Sequence, residues 1–128
     1  MSHLYFSSST GRLSLHNTIP AGPWAAQNNV DSSAVGPFPP GTFPFIGWNH
    51  HFDDAPDSPF GMYGIIVFSV IGRTGMGVHS GRVGVPDALG REGIGHATLG
   101  CVRTSDAAMA AIARIHATDS ILAITVAP

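Results

Sequence analysis

The sequence predicts a mainly β domain with one principal helix packed on a sheet or partly closed barrel, and three observations carry that prediction. Sixteen glycines and ten prolines in 128 residues punctuate the chain too often for a helical bundle. The apolar runs are short and rich in β-branched residues, above all Ile65-Ile66-Val67-Phe68-Ser69-Val70-Ile71 and Ile121-Leu122-Ala123-Ile124-Thr125-Val126. Helical spacing is clear once, after the single cysteine, Cys101, where Ala108, Met109, Ile112 and Ile115 fall on one face. A chain of this length makes one domain, 1–128, around one core.

Taken in order, Leu4–Phe6 and Arg12–Leu15 flank Ser9-Thr10-Gly11 and predict a β-hairpin polar enough to be an edge. Residues 17–33 place Pro, Gly, Ala and Asn around Trp24 without a sustained period, which predicts a loop pinned by that indole. Three prolines between Gly36 and Gly41 bar a helix, and Thr42-Phe43-Pro44-Phe45-Ile46 then predicts an edge strand interrupted by Pro44. Residues 48–60 mix aromatics with Asp53, Asp54, Asp57, His50 and His51, as in a long loop near a cleft. The run from Met62 to Ile71 predicts the central strand, and its continuation through Met76-Gly77-Val78 carries His79 to the sheet's end. Residues 81–95, glycine-rich with Asp87, Arg91 and Glu92, read as an active-site loop. Thr104-Ser105-Asp106 supplies an N-cap and an acidic first turn for a helix over 104–117, and Ile121–Val126 predicts a central closing strand.

Composition excludes several functions. Six arginines, no lysine and a formal charge of −2 leave no polybasic surface for nucleic acid. No run nears the roughly 18 apolar residues of a membrane span. The first residues lack the basic and apolar regions of a cleaved secretory signal, so export is expected by a signal-independent route. One cysteine excludes an internal disulfide. No cofactor is expected: His50, His51 and His96 with His79 and Cys101 invite zinc, but neither C-x-x-C nor H-E-x-x-H spacing occurs. Asp53, Asp54 and Asp57 lack the alternating ligands and closing Glu of a calcium loop. His3, His16 and His116 read as surface residues.

The chemistry concentrates between Gly72 and Thr104, which hold Cys101 and its best partner, His79. A thiol is a weak nucleophile until a nearby imidazole takes its proton. Gly100 before the thiol lets backbone approach a substrate, and the amides of Gly100 and Cys101 are oxyanion-hole candidates. Arg103 is placed to bind a substrate carboxylate, or to pair structurally with Asp106 or Glu92. Against all this stands the plain reading of Cys101 as a buried, inert thiol.

His79-Ser80, a loop, and then Thr98-Leu99-Gly100-Cys101-Val102-Arg103 resemble the catalytic signature of the L,D-transpeptidase (YkuD-like) family. That family usually carries a second His just before its Gly-Cys; here Leu99 stands there, and His96 is the nearby residue to substitute. Residues Ser8–Leu13 and Gly36–Phe43 are similar to the opening of a small subgroup found as antibacterial effectors of type VI secretion. The resemblance implies an L,D-transpeptidase-like β-sandwich or partly closed barrel and a peptidoglycan tetrapeptide stem as acyl donor. It implies Cys101 as nucleophile, His79 as base and then acid, a Ser80 carbonyl that fixes the imidazole tautomer, and Gly100 at the oxyanion hole. Thr98, His96 and Arg103 would bind substrate. Water as acceptor gives an L,D-carboxypeptidase, a D-amino acid gives exchange, and a second stem gives a 3-3 cross-link. As an effector, the protein would act as a toxin in a bacterial periplasm and be neutralised by an immunity protein. Two other functions fit the same residues: a cysteine amidase or peptidase cutting within the stem, and a non-catalytic wall-binding module.

Overall fold

The computed structural model describes residues 1–18, 20–31, 36–50 and 53–128. The expected hairpin is β1 (Ser2–Ser7) and β2 (Arg12–His16), turned at Gly11, followed by β3 (Ala21–Gln27), β4 (Gly41–Asn49) and β5 (Ile65–Phe68). Then come β6 (Gly77–His79), a single 3-10 turn (Gly93–Gly95), β7 (Val102–Thr104), the helix α1 (Asp106–Thr118) and β8 (Ile121–Ala127). The eight strands close into a barrel in the order β1-β2-β3-β7-β6-β5-β4-β8. Alternation drives the closure: Leu4 and Phe6 of β1 and Leu13 and Leu15 of β2 point inward, where they meet Ile66, Phe68, Val78, Val102 and Ile124. Helix α1, capped by Ser105 accepting the Ala108 N–H, buries Ala108, Met109 and Ile112. No described helix is long and apolar enough to cross a membrane.

Closure overturns three expectations. The hairpin is not an edge, because β1 runs parallel to β8 while β2 pairs with β3. Residues 21–27 are a strand, not part of a loop. Its first half pairs with β2 (Leu13↔Trp24) and its last two residues with β7 (Gln27↔Arg103). Only Ala26 of this strand is buried, so backbone pairing holds it and no apolar period announces it. β4 is likewise internal, between β8 and β5. Pro44 is tolerated because it sits where β4 changes partner, beyond the last Phe45↔Phe68 pair, with its carbonyl accepting the Ser69 N–H.

The central strand is shorter than its apolar run. β5 is only Ile65–Phe68, all four residues buried, and the chain then turns so that Arg73 N–H bonds Val70 O and leaves Ile71 fully exposed. β6 therefore returns antiparallel to β5 rather than continuing it. Gly77 is required there: a Cβ would lie 2.0 Å from Ile66 O. Of residues 48–60, Trp48 and Asn49 belong to β4, His50 pairs with Asp54 at 2.8 Å, and His51 lies outside the described residues.

Candidate active site

A parallel pairing of two short strands positions the chemistry. β6 and β7 run side by side with Val78 opposite Val102 and His79 opposite Arg103, so His79 ends one strand and Cys101 immediately precedes its neighbour. Both line one cleft of about 510 Å³ with Phe60, Met76, His96, Thr98 and Leu99.

His79 is buried, and its Nδ1 lies 2.7 Å from the carbonyl oxygen of Ser80. A carbonyl can only accept, so Nδ1 carries the proton and Nε2 is left with the lone pair. Burial pushes the imidazole down to about 3; the Arg103 and Arg82 charges act the same way, and the Ser80 bond opposes them. Phe60 packs on the ring, centroids 4.8 Å apart. Burial also pushes the Cys101 thiol up, against the Gly77 N–H and the charges of Arg103 and Arg73, and Sγ donates to Gly75 O at 3.3 Å. At neutral pH the resting pair is thus thiol and neutral imidazole, not thiolate and imidazolium.

The supporting contacts come from distant segments. Ser80 donates its hydroxyl to the Asp106 carboxylate, which also accepts the Met62 N–H at 3.1 Å, so the start of α1 anchors the residue that orients His79. Thr98 Oγ1 accepts the Gly100 N–H (3.1 Å) and donates to Cys101 O (2.7 Å). Asn28 Nδ2 donates to the carbonyls of Gly100 and Cys101 (2.8 and 2.9 Å), while its Oδ1 accepts the Phe38 N–H. Gly100 has φ +138°, a conformation that L side chains rarely adopt, and a Cβ there would also displace the Arg73 guanidinium, 2.2 Å away. Its N–H is held by Thr98, which leaves the Cys101 amide as the oxyanion-hole candidate of the two.

Arg103 does not make the ion pair foreseen for it. It is buried and donates to four carbonyls: Ser80 (3.3 Å), His96 (2.8 Å), Ala97 (3.3 Å) and Pro59 (3.0 Å). Its fork joins the loops around the cleft through these carbonyls, and the ion pair with Asp106 or Glu92 is not among its contacts. Burial lowers it to about 10, so it stays charged at neutral pH. A second cation lines the cleft beside Arg103: Arg82, which the sequence did not single out. It is the only non-glycine described residue with positive φ (59°), and its N–H and carbonyl are tied to Ser58 O and Gly93 N. Asn28 and Asp106 were missed as site residues too: the first lies in a stretch with no pattern, and the second reads simply as helix-start acid. His96 does enter the cleft, and Leu99, 67% exposed, lines it where the family pattern has His. Among the described residues no group of three or more His, Cys, Asp or Glu is placed to hold a metal.

Solved structures share this architecture. L,D-transpeptidase 1 of Mycobacterium tuberculosis superposes with a TM-score of 0.58 at 15% identity, covering 99% of this chain and 61% of that one. The L,D-transpeptidase of Xylanimonas cellulosilytica gives 0.56 at 17% identity, over 98% of this chain and 59% of that one. The fold is the L,D-transpeptidase fold. This chain spans about three-fifths of the length of those two L,D-transpeptidase chains. No family model matches the sequence, nor does the sequence of any curated protein.

Proposed function

We propose that the protein is a peptidoglycan-modifying cysteine acyltransferase acting on tetrapeptide stems. The observation that supports this most is the placement of His79 at the end of β6 and Cys101 immediately before its parallel neighbour β7, both lining one cleft of an L,D-transpeptidase fold. As Sγ attacks the carbonyl between the third-position diamino acid and the terminal D-Ala, its proton passes to His79 Nε2. The carbonyl oxygen takes up negative charge opposite the Cys101 N–H. The C–N bond then breaks, the D-Ala amine leaves with the proton from His79, and the acyl group stays on sulfur as a thioester. Arg82 serves in place of Arg103 as the cation for a stem carboxylate. Water, a D-amino acid or a second stem resolves the thioester.

Deployment as a type VI effector in the periplasm, with a neutralising immunity protein, belongs to the same proposal and draws its support from Ser8–Leu13 and Gly36–Phe43 alone. The test is incubation with purified muropeptides, with Cys101→Ala and His79→Ala as controls. Loss of terminal D-Ala by the wild type alone is the expected result. Cleavage within the stem would make the protein a peptidase, and retention on sacculi without turnover would make it a binding module.

A further inference from the structure

His79 and His96 are built alike. Each ring holds its Nδ1 against the carbonyl of the next residue, His79 on Ser80 (2.7 Å) and His96 on Ala97 (2.9 Å). A carbonyl can only accept, so each neutral ring is the same tautomer, with Nε2 carrying the lone pair. The two carbonyls are joined by one guanidinium, Arg103 Nε donating to Ser80 O and Nη1 to Ala97 O. The backbone of His96 is held as tightly as a catalytic group requires: its N–H bonds Gly93 O, its carbonyl accepts from Arg103, and the Ala97 N–H is fixed by Asp87 Oδ2 at 3.0 Å. Asp87 is itself braced by Arg91 Nε at 2.8 Å.

His96 also stands between two cavities. One is the cleft of Cys101 and His79; the other, of about 680 Å³, is lined by Val30, Asp87, Leu89 and Arg91 and shares Asp31, His96 and Ala97 with the first. The second cavity does not reach Cys101, so what enters it meets the reacting carbonyl past His96.

We propose that His96 is a second catalytic base, which activates the acceptor that enters through this neighbouring cavity, while His79 serves acylation. The inference rests on the acyl-enzyme reading above. An acceptor amine or water attacks the thioester carbonyl, forming the new C–N or C–O bond as its proton moves to His96 Nε2. The C–S bond breaks with its electron pair going to Sγ, and thiolate and imidazolium exchange the proton through solvent to restore the neutral pair.

Rapid mixing with p-nitrophenyl acetate separates the steps, because the nitrophenolate burst reads acylation and the steady rate reads deacylation. In His96→Ala and His96→Gln the burst rate is expected to stay within a factor of two of wild type. The steady rate is expected to fall about 100-fold, with water alone and with added glycinamide. Gln keeps a donor for Ala97 O, so its loss of rate reports the missing base rather than a misplaced loop. Added imidazole is expected to restore the steady rate of His96→Ala. A steady rate within a factor of two of wild type, or a burst lost together with it, overturns the assignment of His96 alone. Absence of a burst from the wild type overturns the acyl-enzyme reading and this one with it.

Discussion

The Nδ1–H of His79 donates to the carbonyl of Ser80 at 2.7 Å, inside a barrel wall where neither residue meets water. That single bond decides which ring nitrogen faces the chemistry. Burial decides the rest, since an imidazole so desolvated stays neutral and cannot hold its neighbour as a thiolate. The consequences are measurable.

Alkylation of Cys101 by iodoacetamide will accelerate with pH into the range above ordinary thiols, because burial raises its pKa. The rate profile between pH 5 and 10 checks this. A fast plateau already present at pH 5 to 6 would mean a thiolate–imidazolium pair.

Stability will fall on acidification through the histidine range. His79 titrates at 6.5 in the unfolded chain and about 3 in the fold, so between those values the unfolded state binds the extra proton. The contribution is fully present above pH 6.5 and declines as pH drops toward 3. Urea unfolding at several pH values will show a flatter profile for His79→Gln than for wild type.

Ser80→Ala keeps the carbonyl that orients His79 but removes the hydroxyl that anchors it on Asp106. A stability loss of about 1–3 kcal/mol is expected from the broken buried bond. Turnover should drop with it, by about 10-fold for a loosened base. Asp106→Ala will do the same and lose the Met62 contact as well. Unfolding curves beside kcat and KM read both effects.

Arg103→Lys and Arg82→Gln will separate framework from substrate binding. An ammonium cannot span four carbonyls, so Arg103→Lys is expected to lower stability by about 3 kcal/mol. Arg82→Gln is expected to raise KM for stem peptides about 10-fold with a near-normal Tm. A stable Arg103→Lys with only a raised KM would return the substrate role to Arg103.

Local chemistry made much of this legible in the sequence. Gly11 announces the first hairpin, Ser105 announces α1, and the Ile121–Val126 run announces β8. His79 and Cys101 stand out by residue type and order. What escaped depends on pairing between remote segments. β3 has one buried residue and exists because β2 and β7 hydrogen-bond to it, and barrel closure turns presumed edges into ladders. The same holds in the site: Asn28 meets Gly100 and Cys101 across more than seventy residues, and Ser80 meets Asp106 across twenty-six. A side chain's type carries no record of so distant a partner. The four carbonyl partners of Arg103 were equally out of reach, because a guanidinium in a sequence points to carboxylates and not to backbone oxygens.

The most direct measurement is the mass of the intact protein quenched during reaction with a tetrapeptide muropeptide. The account predicts an adduct equal to the stem without its terminal D-Ala, mapped to Cys101, absent from Cys101→Ala and strongly slowed in His79→Ala. Release of D-Ala with no adduct, and at an undiminished rate in Cys101→Ala, would contradict it.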